Sequence, residues 1–347
     1  MRAAQWQAVQ EIRLAELEEP VAGPGQAVIE VTACGICGSD LHSYLHGMAA
    51  VPGQVLGHEV SGRVLTAPGV AGLEPGQRVT VRPLIPCGAC AGCLRGEPQL
   101  CEAGMGQNIG YGARGGFAQR LLVPRAAVGE TVFVLPDSVS DHAGALVEPF
   151  AVALHAVRLA RPEPGDVAVV SGLGAIGLGA VQALRAHGVR RILGVDPSPL
   201  RRACALDVGA AAAIDPEAAD VVAAVQEWTG VGAWGRGARA DLVVECSGVP
   251  EALTAGLKTL RHGGTLVVAA VYARKWEINP TRLMEKELTF RGSFAYGDEF
   301  PRVLRLLAAG DLAAERLVSH VFPLARIEEA FAAQLERDSS IKVIVEP

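Results

Sequence analysis

The sequence predicts an α/β fold joined to an all-β domain: a barrel-like β domain comes first, and a doubly wound parallel sheet follows. Residues 1–149 are rich in glycine and proline, and turn signals such as Gly23-Pro-Gly25 separate their short β-type runs. From residue 150 onward strands alternate with helices, as right-handed βαβ crossovers require. We therefore expect domains at residues 1–149 and 150–289, with residues 290–347 returning to the first domain.

Each part of this division has its own pattern. The β-type runs of the first domain are Ala27–Val31, Val60–Val64 and Arg78–Val81. The strands expected in the second domain are Val167–Ser171, Arg191–Asp196, Ala240–Cys246 and Thr265–Val271. The helices expected between them are Leu178–His187, Leu200–Val208 and Glu251–Leu260. The returning segment is expected to begin with a strand from about Thr289 and to continue with two helices and a final strand, at Phe300–Ala309, Ile327–Glu336 and Ile341–Val345.

Composition argues against several classes of partner. The 347 residues carry a formal net charge of −6 with a pI near 5.8, whereas a nucleic-acid partner usually requires a basic face. No segment reaches the roughly 18 consecutive apolar residues that span a bilayer. The N-terminus also lacks the long apolar core of a signal peptide. We therefore expect a cytoplasmic protein that binds neither nucleic acid nor membrane.

Four cysteines lie within fifteen residues, at Cys87, Cys90, Cys93 and Cys101. Thiolates at this spacing can converge on one tetrahedral Zn²⁺, and four of them leave no open position for a substrate. Two disulfides are the alternative, but they need an oxidising compartment that nothing at the N-terminus indicates. The sequence therefore predicts a structural zinc lobe at residues 87–101.

A glycine motif follows the first predicted strand of the second domain. Gly172 permits a tight turn, Gly174 lets the backbone approach a pyrophosphate, and Gly177 packs the following helix against the strand. The backbone of Ala175 and Ile176 opens that helix, whose N-terminus favours phosphate groups. The motif therefore predicts a dinucleotide site.

An acidic residue nineteen positions after Gly177 bears on the choice of dinucleotide. Asp196 ends the next predicted strand, where a carboxylate binds both ribose hydroxyls of adenosine and repels a 2′-phosphate. NAD is therefore expected rather than NADP. The alternative is that Asp196 caps the helix that follows Pro197. Arg201 either covers the adenine ring or is a solvated charge on the helix surface.

A second, incomplete set of metal ligands lies upstream. It comprises Cys34 and Cys37, then His58 and Glu59, and much later Glu148. A thiolate, an imidazole and a carboxylate from separate segments suit a catalytic Zn²⁺ that keeps one position open. The spacing alone leaves other interpretations, because the two cysteines would also fit half of a zinc ribbon and a single histidine is more often structural.

Several motifs that span nearly the whole chain occur together. They are Cys37-Gly-Ser-Asp-Leu-His42, Gly57-His-Glu59, the four-cysteine lobe, Leu146-Val-Glu-Pro-Phe-Ala-Val-Ala-Leu-His155, the glycine motif and Gly292-Ser-Phe-Ala-Tyr296. This set resembles the zinc-dependent medium-chain alcohol dehydrogenases, and most closely their 2,3-butanediol dehydrogenase and sorbitol dehydrogenase branch. The resemblance implies a GroES-like β-barrel catalytic domain, a Rossmann domain, NAD, two Zn²⁺ per chain and a homodimer or homotetramer.

The resemblance also implies roles for individual residues. The implied ligands of the catalytic zinc are Cys37, His58, Glu59 and Glu148, with the two carboxylates exchanging with water. Ser39 would accept the alcohol proton, and His42, whose alternative role is that of a surface histidine, would pass it to solvent through the cofactor ribose. Asp40 would orient His58. The residues implied at the nicotinamide end, which the family holds at the mouth between its domains, are Ala269, Ala270, Val271, Ser293, Phe294 and Ala295.

The implied reaction is oxidation of a secondary alcohol to a ketone and its reverse. Threonine dehydrogenases carry Asp-Pro-Phe-Gly-Asn where this chain has Glu148-Pro-Phe-Ala-Val152. Sorbitol dehydrogenases place an arginine where Ala295 precedes Tyr296, and a polyol-binding tyrosine where this chain has Ser43. We therefore expect a compact vicinal diol or hydroxyketone, with Tyr296 binding the second hydroxyl. A cyclic or linear sugar alcohol and threonine are the alternatives, and loops 48–52 and 104–115 are expected to shape the pocket.

Two rival functions lack parts of this pattern. A zinc-free enone or quinone reductase of the same superfamily would lack Cys37, His58 and the four-cysteine lobe. A nucleotide-binding protein without catalysis would be expected to keep the glycines and to lose Cys37, His58 and Glu148. All of these residues are present here.

Overall fold

The chain divides into two units that are built on different kinds of β-sheet, as its sequence predicts. The computed structural model describes residues 1–103, 106–231 and 238–347. The first unit comprises Met1–Glu148, Gly297–Gly310 and Val318–Pro347, and the second comprises Pro149–Tyr296 and Asp311–Leu317.

The elements are numbered in chain order. The first stretch contains β1 (Arg2–Ala8), β2 (Glu11–Glu16), β3 (Ala27–Gly35), α1 (Gly38–His46), β4 (Gln54–Val55), β5 (Glu59–Thr66), β6 (Arg78–Val81), α2 (Ala91–Leu94), β7 (Arg120–Val123), β8 (Val132–Val134), α3 (Asp141–Ala145) and the start of α4 (Val147–Ala160). The middle stretch contains β9 (Val167–Ser171), α5 (Ala175–Ala186), β10 (Arg191–Val195), α6 (Pro199–Asp207), β11 (Ala212–Ile214), α7 (Val221–Thr229), β12 (Ala240–Glu245), α8 (Pro250–Thr259), β13 (Leu260–Val268), α9 (Thr281–Glu285) and β14 (Thr289–Gly292). The last stretch contains α10 (Glu299–Ala309), β15 (Val318–Pro323), α11 (Ile327–Leu335) and β16 (Lys342–Glu346).

The second unit is built on a six-stranded parallel sheet in the order β11-β10-β9-β12-β13-β14. Every residue of β9 is buried, as expected for a central strand whose two faces are both covered. The strand order reverses between β9 and β12. In open parallel sheets ligands bind at the carboxyl ends of the strands beside such a reversal, which places a candidate site there.

The first unit is built on a larger sheet in the order β15-β16-β3-β5-β6-β8, with β7 also paired to β3. Strands β3 and β5 are antiparallel, and their register places Gly35 opposite Glu59. Strand β16 lies on the other side of β3, with Ile344 opposite Gly35. The end of β3 is therefore flanked by residues that are far apart in the sequence.

The division differs from the predicted one near the end of the second unit. The return to the first unit begins at Gly297 rather than at residue 290, because β14 pairs in parallel with β13 and so extends the second sheet. Residues 311–317 also remain with the second unit, where the Ala313 N–H donates to Gln182 Oε1 at 2.6 Å. Among residues 1–103, 106–231 and 238–347, no helix is both long enough and apolar enough to cross a bilayer.

Candidate metal and dinucleotide sites

The structure brings Cys37, His58 and Glu59 together, and their ligand atoms lie within 4.8 Å of one another. We call these residues the first metal group. Cys37 precedes α1, His58 immediately precedes β5, and Glu59 is the first residue of β5. One soft sulfur, one imidazole nitrogen and a carboxylate oxygen form a donor set that suits Zn²⁺. The residues of this group therefore fit the metal that the sequence predicts.

Asp40 fixes two members of the first metal group. Its Oδ2 accepts the Cys37 N–H at 2.9 Å, and its Oδ1 accepts the Gly57 N–H at 3.2 Å. The same Oδ1 faces His58 Nδ1 at 3.5 Å, an electrostatic contact beyond ordinary hydrogen-bond length. Because Nδ1 faces this carboxylate, Nε2 is the imidazole nitrogen available to a metal. The predicted orienting role of Asp40 is compatible with this geometry.

Glu59 is held by a lysine from the final strand. Both of its carboxylate oxygens lie 2.7 Å from Lys342 Nζ, which also donates to the carbonyl of Ile36 at 2.9 Å. Both side chains are buried. A Cβ atom at Gly35 would lie 1.9 Å from Glu59 Oε2, so only glycine leaves room for this carboxylate.

The charge of Lys342 is maintained by its surroundings. Burial alone lowers the pKa of this lysine, but the charges of Glu59, Cys37 and Glu148 raise it, and the net shift is upward. Glu148 is buried in the first turn of α4, yet its carboxylate lies outside the set of ligand atoms that defines the first metal group. Its role as an exchangeable ligand stays a prediction.

Ser39 lies beside the first metal group. Its Oγ is 3.4 Å from His58 Nε2, and it accepts a hydrogen bond from the hydroxyl of Tyr111 at 3.0 Å. The ring of Tyr111 lies against the imidazole of His58, with centroids 5.2 Å apart. Burial is the main reason that the pKa of the Tyr111 phenol rises to about 12. The hydroxyl predicted to accept the alcohol proton is therefore within reach of the metal group.

His42 stands one helical turn after Ser39 on α1 and is half-buried. Its ring centroid is 5.9 Å from that of His46, which is exposed. Burial lowers the pKa of His42, and the neighbouring His46 lowers it further. A lowered pKa keeps His42 neutral, and therefore able to accept a proton, over more of the acidic range.

The four cysteines of the zinc lobe also converge, and their ligand atoms lie within 4.8 Å of one another. The sulfur atoms of Cys90 and Cys93 are 3.6 Å apart, and those of Cys87 and Cys93 are 3.9 Å apart. Four sulfurs bonded to one zinc at about 2.3 Å would be separated by about 3.8 Å. The residues of this lobe therefore fit a closed tetrahedral zinc site.

Backbone N–H groups favour the thiolate form of Cys87 and Cys90, whereas burial raises the pKa of Cys93 to about 11. The amides of Ala89 and Cys90 donate to Cys87 Sγ, at 3.4 and 3.3 Å. The amide of Glu102 donates to Cys90 Sγ at 3.4 Å. Backbone hydrogen bonds to its sulfur lower the pKa of Cys90 to about 6, and the bond from the Cys93 N–H has the largest effect. A thiolate is the form of cysteine that binds a metal.

In the second unit, a different steric reason explains why each position of the motif is a glycine. Gly172 has φ +83, and a Cβ there would lie 2.6 Å from the backbone of Ser247. A Cβ at Gly177 would lie 1.8 Å from the carbonyl oxygen of Gly172. Gly174 is the N-cap of α5 and faces open space, so a ligand can approach the backbone there. The loop therefore fits a pyrophosphate at the N-terminus of α5.

Asp196 is buried immediately after β10 and holds two backbone segments. One carboxylate oxygen accepts the Leu173 N–H at 2.7 Å, and the other accepts the Ser198 N–H at 2.8 Å. The N-cap of α6 is Ser198 rather than Asp196, which excludes the capping interpretation. Arg202 donates to the Asp196 carbonyl at 2.8 Å, whereas Arg201 is half-buried in the first turn of α6.

The residues predicted at the nicotinamide end follow β13 and β14, and so lie at the same sheet edge as the glycine loop. The Ala269 N–H donates to the Glu245 carbonyl and the Ser293 N–H donates to the Val268 carbonyl, both at 2.8 Å. Ser293 Oγ is buried with no hydrogen-bond partner among the described residues, so it can accept one from a ligand. Among the side chains here, Val271 and Phe294 are exposed, and Ala270 and Ala295 are half-buried.

Tyr296, predicted to bind the second hydroxyl of a substrate, is the last residue of the second unit's main segment, and its side chain is completely buried.

The sequence did not indicate two other residues that contact the site, Tyr111 and Lys342. Tyr111 lies in a glycine-rich loop that was expected only to shape the pocket and whose residues 104 and 105 lie outside the described part. Lys342 had only a weak signal, a charged residue at the start of a strand whose next three residues are apolar, and this signal does not indicate Glu59 as its partner.

Comparison with known proteins identifies the family. The description "alcohol dehydrogenase GroES-like domain" matches residues 23–136, and "zinc-binding dehydrogenase" matches residues 175–309. The (R,R)-butanediol dehydrogenase of Bacillus subtilis is 36% identical over 100% of both chains. This chain belongs to the zinc-dependent medium-chain alcohol dehydrogenase family. The crystal structure of 2R,3R-butanediol dehydrogenase from the same species matches this dehydrogenase with a TM-score of 0.88, covering 100% of this chain and 99% of that one.

Other members of the family are similar to this dehydrogenase as well. The sorbitol dehydrogenase of Bacillus subtilis is 30% identical over 100% of this chain and 97% of its own. The L-threonine 3-dehydrogenase of Pyrococcus abyssi is 33% identical over 92% and 90%. A zinc-binding dehydrogenase structure from Sinorhizobium meliloti bound to NADP is 33% identical with a TM-score of 0.89, over 100% and 99%. The predicted family, branch and fold class are confirmed.

Replacing Cys101 with serine is expected to halve the zinc content of this dehydrogenase and to lower its thermal unfolding temperature. The physical reason is that metal binding at a closed site contributes directly to the free energy of folding. Elemental analysis and calorimetry measure the two effects. Cys204→Ser is the matched control, because Cys204 is half-buried outside both metal groups. A Cys101→Ser protein with full zinc content and an unchanged unfolding temperature would contradict the assignment.

Proposed function

We propose that this dehydrogenase oxidises a compact vicinal diol to the corresponding hydroxyketone with NAD, and catalyses the reverse reduction. The observation that carries the proposal is the placement of the Ser39 hydroxyl 3.4 Å from His58 Nε2, beside the first metal group. Similarity over the full chain to an enzyme named for butanediol supports the substrate class.

The residues of the chain divide the reaction between them. The first metal group would hold a zinc that supplies a Lewis acid for the substrate oxygen, and NAD would supply the hydride acceptor. Ser39 accepts the proton that the alcohol loses. His42 lies on the same face of α1, and its lowered pKa favours the neutral imidazole that can pass this proton toward solvent. Asp40 keeps His58 oriented throughout.

The surroundings of α1 favour a small diol over a long polyol. Ser43, which stands where sorbitol dehydrogenases carry a tyrosine, is buried and donates its hydroxyl to the Met48 carbonyl at 2.6 Å. Its hydrogen is therefore committed to the protein. Ala295 supplies no donor where those relatives have an arginine. With both groups missing, the inner hydroxyls of a long polyol would be buried without partners, which is costly.

A substrate panel tests this proposal directly. With NAD, we expect 2,3-butanediol to give a higher kcat/KM than sorbitol, inositol, threonine or a primary alcohol, measured by the appearance of NADH. The reason is that the second hydroxyl of a diol adds a hydrogen bond that simple alcohols lack. If threonine, inositol or a primary alcohol were turned over far faster than every diol, this substrate class would be wrong.

The choice of NAD depends on Asp196. Each of its oxygens already accepts one backbone N–H and retains a lone pair for a ribose hydroxyl. A 2′-phosphate at that position would meet the carboxylate charge. The structural neighbour from Sinorhizobium meliloti is bound to NADP, so this preference must be measured on the present chain.

Replacing Asp196 with asparagine is expected to lower the ratio of kcat/KM for NAD to that for NADP by about tenfold or more, since like charges repel strongly in a partly desolvated site. Steady-state kinetics with each cofactor measures the ratio. Asp207→Asn is the control, because Asp207 is half-exposed and pairs with Arg316 on the surface. Equal efficiency with both cofactors in the unchanged protein would refute the proposal.

We also propose that the protein is a homodimer or homotetramer whose subunits join at β14. This strand ends the parallel sheet, and its outer edge pairs with no other strand among the described residues. Phe290 on β14 is 39% exposed and stacks on Trp276, with ring centroids 5.8 Å apart. An unpaired edge with exposed aromatic surface is typical of strand pairing between copies.

Replacing Phe290 with lysine is expected to convert the oligomer to smaller species in sedimentation velocity experiments, because a charge at the joined edge opposes pairing. Val134→Lys is the control, since Val134 is 40% exposed on β8 at the edge of the other sheet. An unchanged protein that sediments as a monomer at micromolar concentration would rule out the oligomer.

A further inference from the structure

Tyr111 is fixed in place by a tight turn. The Tyr111 N–H donates to the Asn108 carbonyl at 3.1 Å, and Asn108 Oδ1 in turn accepts the Ile85 N–H at 2.8 Å. Gly110 has φ +82, and a Cβ there would lie 2.9 Å from the carbonyl oxygen of Gly57. The turn therefore packs closely on the segment that carries His58, and the tyrosine has little freedom to move away.

The hydrogen bond between Tyr111 and Ser39 has a definite direction. The phenol donates, and Ser39 Oγ accepts at 3.0 Å. The only other hydrogen-bond partner of this oxygen among the described residues is His58 Nε2. That nitrogen is the one available to a metal, and a nitrogen that binds a metal cannot also accept a hydrogen bond. With the metal bound, Tyr111 is therefore the group that sets the orientation of the Ser39 hydroxyl.

The remaining hydrogen-bonding capacity of the two hydroxyls can be counted. Ser39 has two lone pairs and one O–H; Tyr111 uses one lone pair, which leaves one for the alcohol that is oxidised and the O–H to pass a proton onward. The oxygen of Tyr111, whose hydrogen is committed to Ser39, still has acceptor capacity. The pair thus presents two acceptor oxygens 3.0 Å apart next to the metal group.

We propose that Tyr111 is the specificity-determining residue that accepts a hydrogen bond from the second hydroxyl of a vicinal diol, while Ser39 accepts the proton of the hydroxyl being oxidised. The inference rests on the proposed function, because it assigns the second contact of that same substrate. Hydroxyls on adjacent carbons are close enough together to meet two neighbouring acceptors at once. The predicted role of Tyr296 is thereby given to a residue with an observed contact to Ser39.

The test compares Tyr111→Phe with the unchanged enzyme on 2,3-butanediol and on 2-butanol, which has the same carbon skeleton and one hydroxyl. Phenylalanine keeps the ring against His58 and removes only the phenolic oxygen. We expect kcat/KM for the diol to fall about tenfold more than kcat/KM for 2-butanol, chiefly through a higher KM, because one hydrogen bond to substrate is lost. Zinc content and unfolding temperature are measured on every variant.

Tyr44→Phe is the matched control. Tyr44 lies on the same helix as Ser39, and its ring packs on Phe331 with the ring centroids 5.1 Å apart. Among the described residues its phenol forms no hydrogen bond with Ser39 or with the first metal group, whereas that of Tyr111 donates to Ser39. This variant should keep the ratio of the two substrates unchanged.

Each outcome separates the alternatives. If the unchanged enzyme shows no preference for the diol, the proposed substrate class fails, and the role of Tyr111 fails with it. If the unchanged enzyme prefers the diol but Tyr111→Phe lowers kcat equally for both alcohols, Tyr111 positions Ser39 and does not bind the second hydroxyl. If the variant behaves like the unchanged enzyme, the proposal for Tyr111 is wrong while the proposed function stands.

Discussion

The structure of the first unit, which carries the first metal group, depends on how it buries charged side chains. The imidazole of His58 and the carboxylate of Glu59 are buried beside the half-buried sulfur of Cys37, and buried polar groups need partners of suitable polarity. Asp40 serves His58, and Lys342 serves Glu59. Removing one partner of such a buried pair leaves an uncompensated charge, which typically costs several kcal/mol. The arrangement of β3, β5 and β16 can therefore be understood as a support that keeps opposite charges adjacent.

The second unit, here called the nucleotide unit, must accommodate a charged ligand rather than buried charges of its own. Its ligand carries several negative charges, yet the loop that faces it offers backbone amides and space rather than lysines. Gly174 leaves the approach open, and the buried Asp196 braces the loop through the Leu173 N–H. One carboxylate thus shapes the glycine loop and, in the function proposed above, also binds the ribose. A site of this kind is specified mainly by backbone geometry, so a change at Asp196 affects shape as well as charge.

The sequence predicts features whose parts are close together along the chain. The four cysteines of residues 87–101 and the glycine motif each lie within one short segment, so spacing alone indicates their chemistry. The alternation of strands and helices likewise predicts the parallel sheet. Tyr111 and Lys342 could not be placed in this way, since their partners Ser39 and Glu59 are 72 and 283 residues away. Register across β3 and the turn at Asn108 bring them together, and neither leaves a local pattern. For the same reason the sequence did not place β14, a short edge strand, in the second sheet.

The order in which the chain is made has a consequence for the discontinuous first unit. Ribosomes deliver residues 1–148 first, and at that stage the end of β3 at Cys34 and Gly35 lacks the neighbour that β16 later supplies. Residues 149–296 then emerge as one uninterrupted stretch that contains the whole parallel sheet. Domains generally fold as units during synthesis. The nucleotide unit can therefore mature while Glu59 still lacks its lysine, and nascent chains stalled before residue 342 would combine a protease-resistant nucleotide unit with an unfinished metal centre.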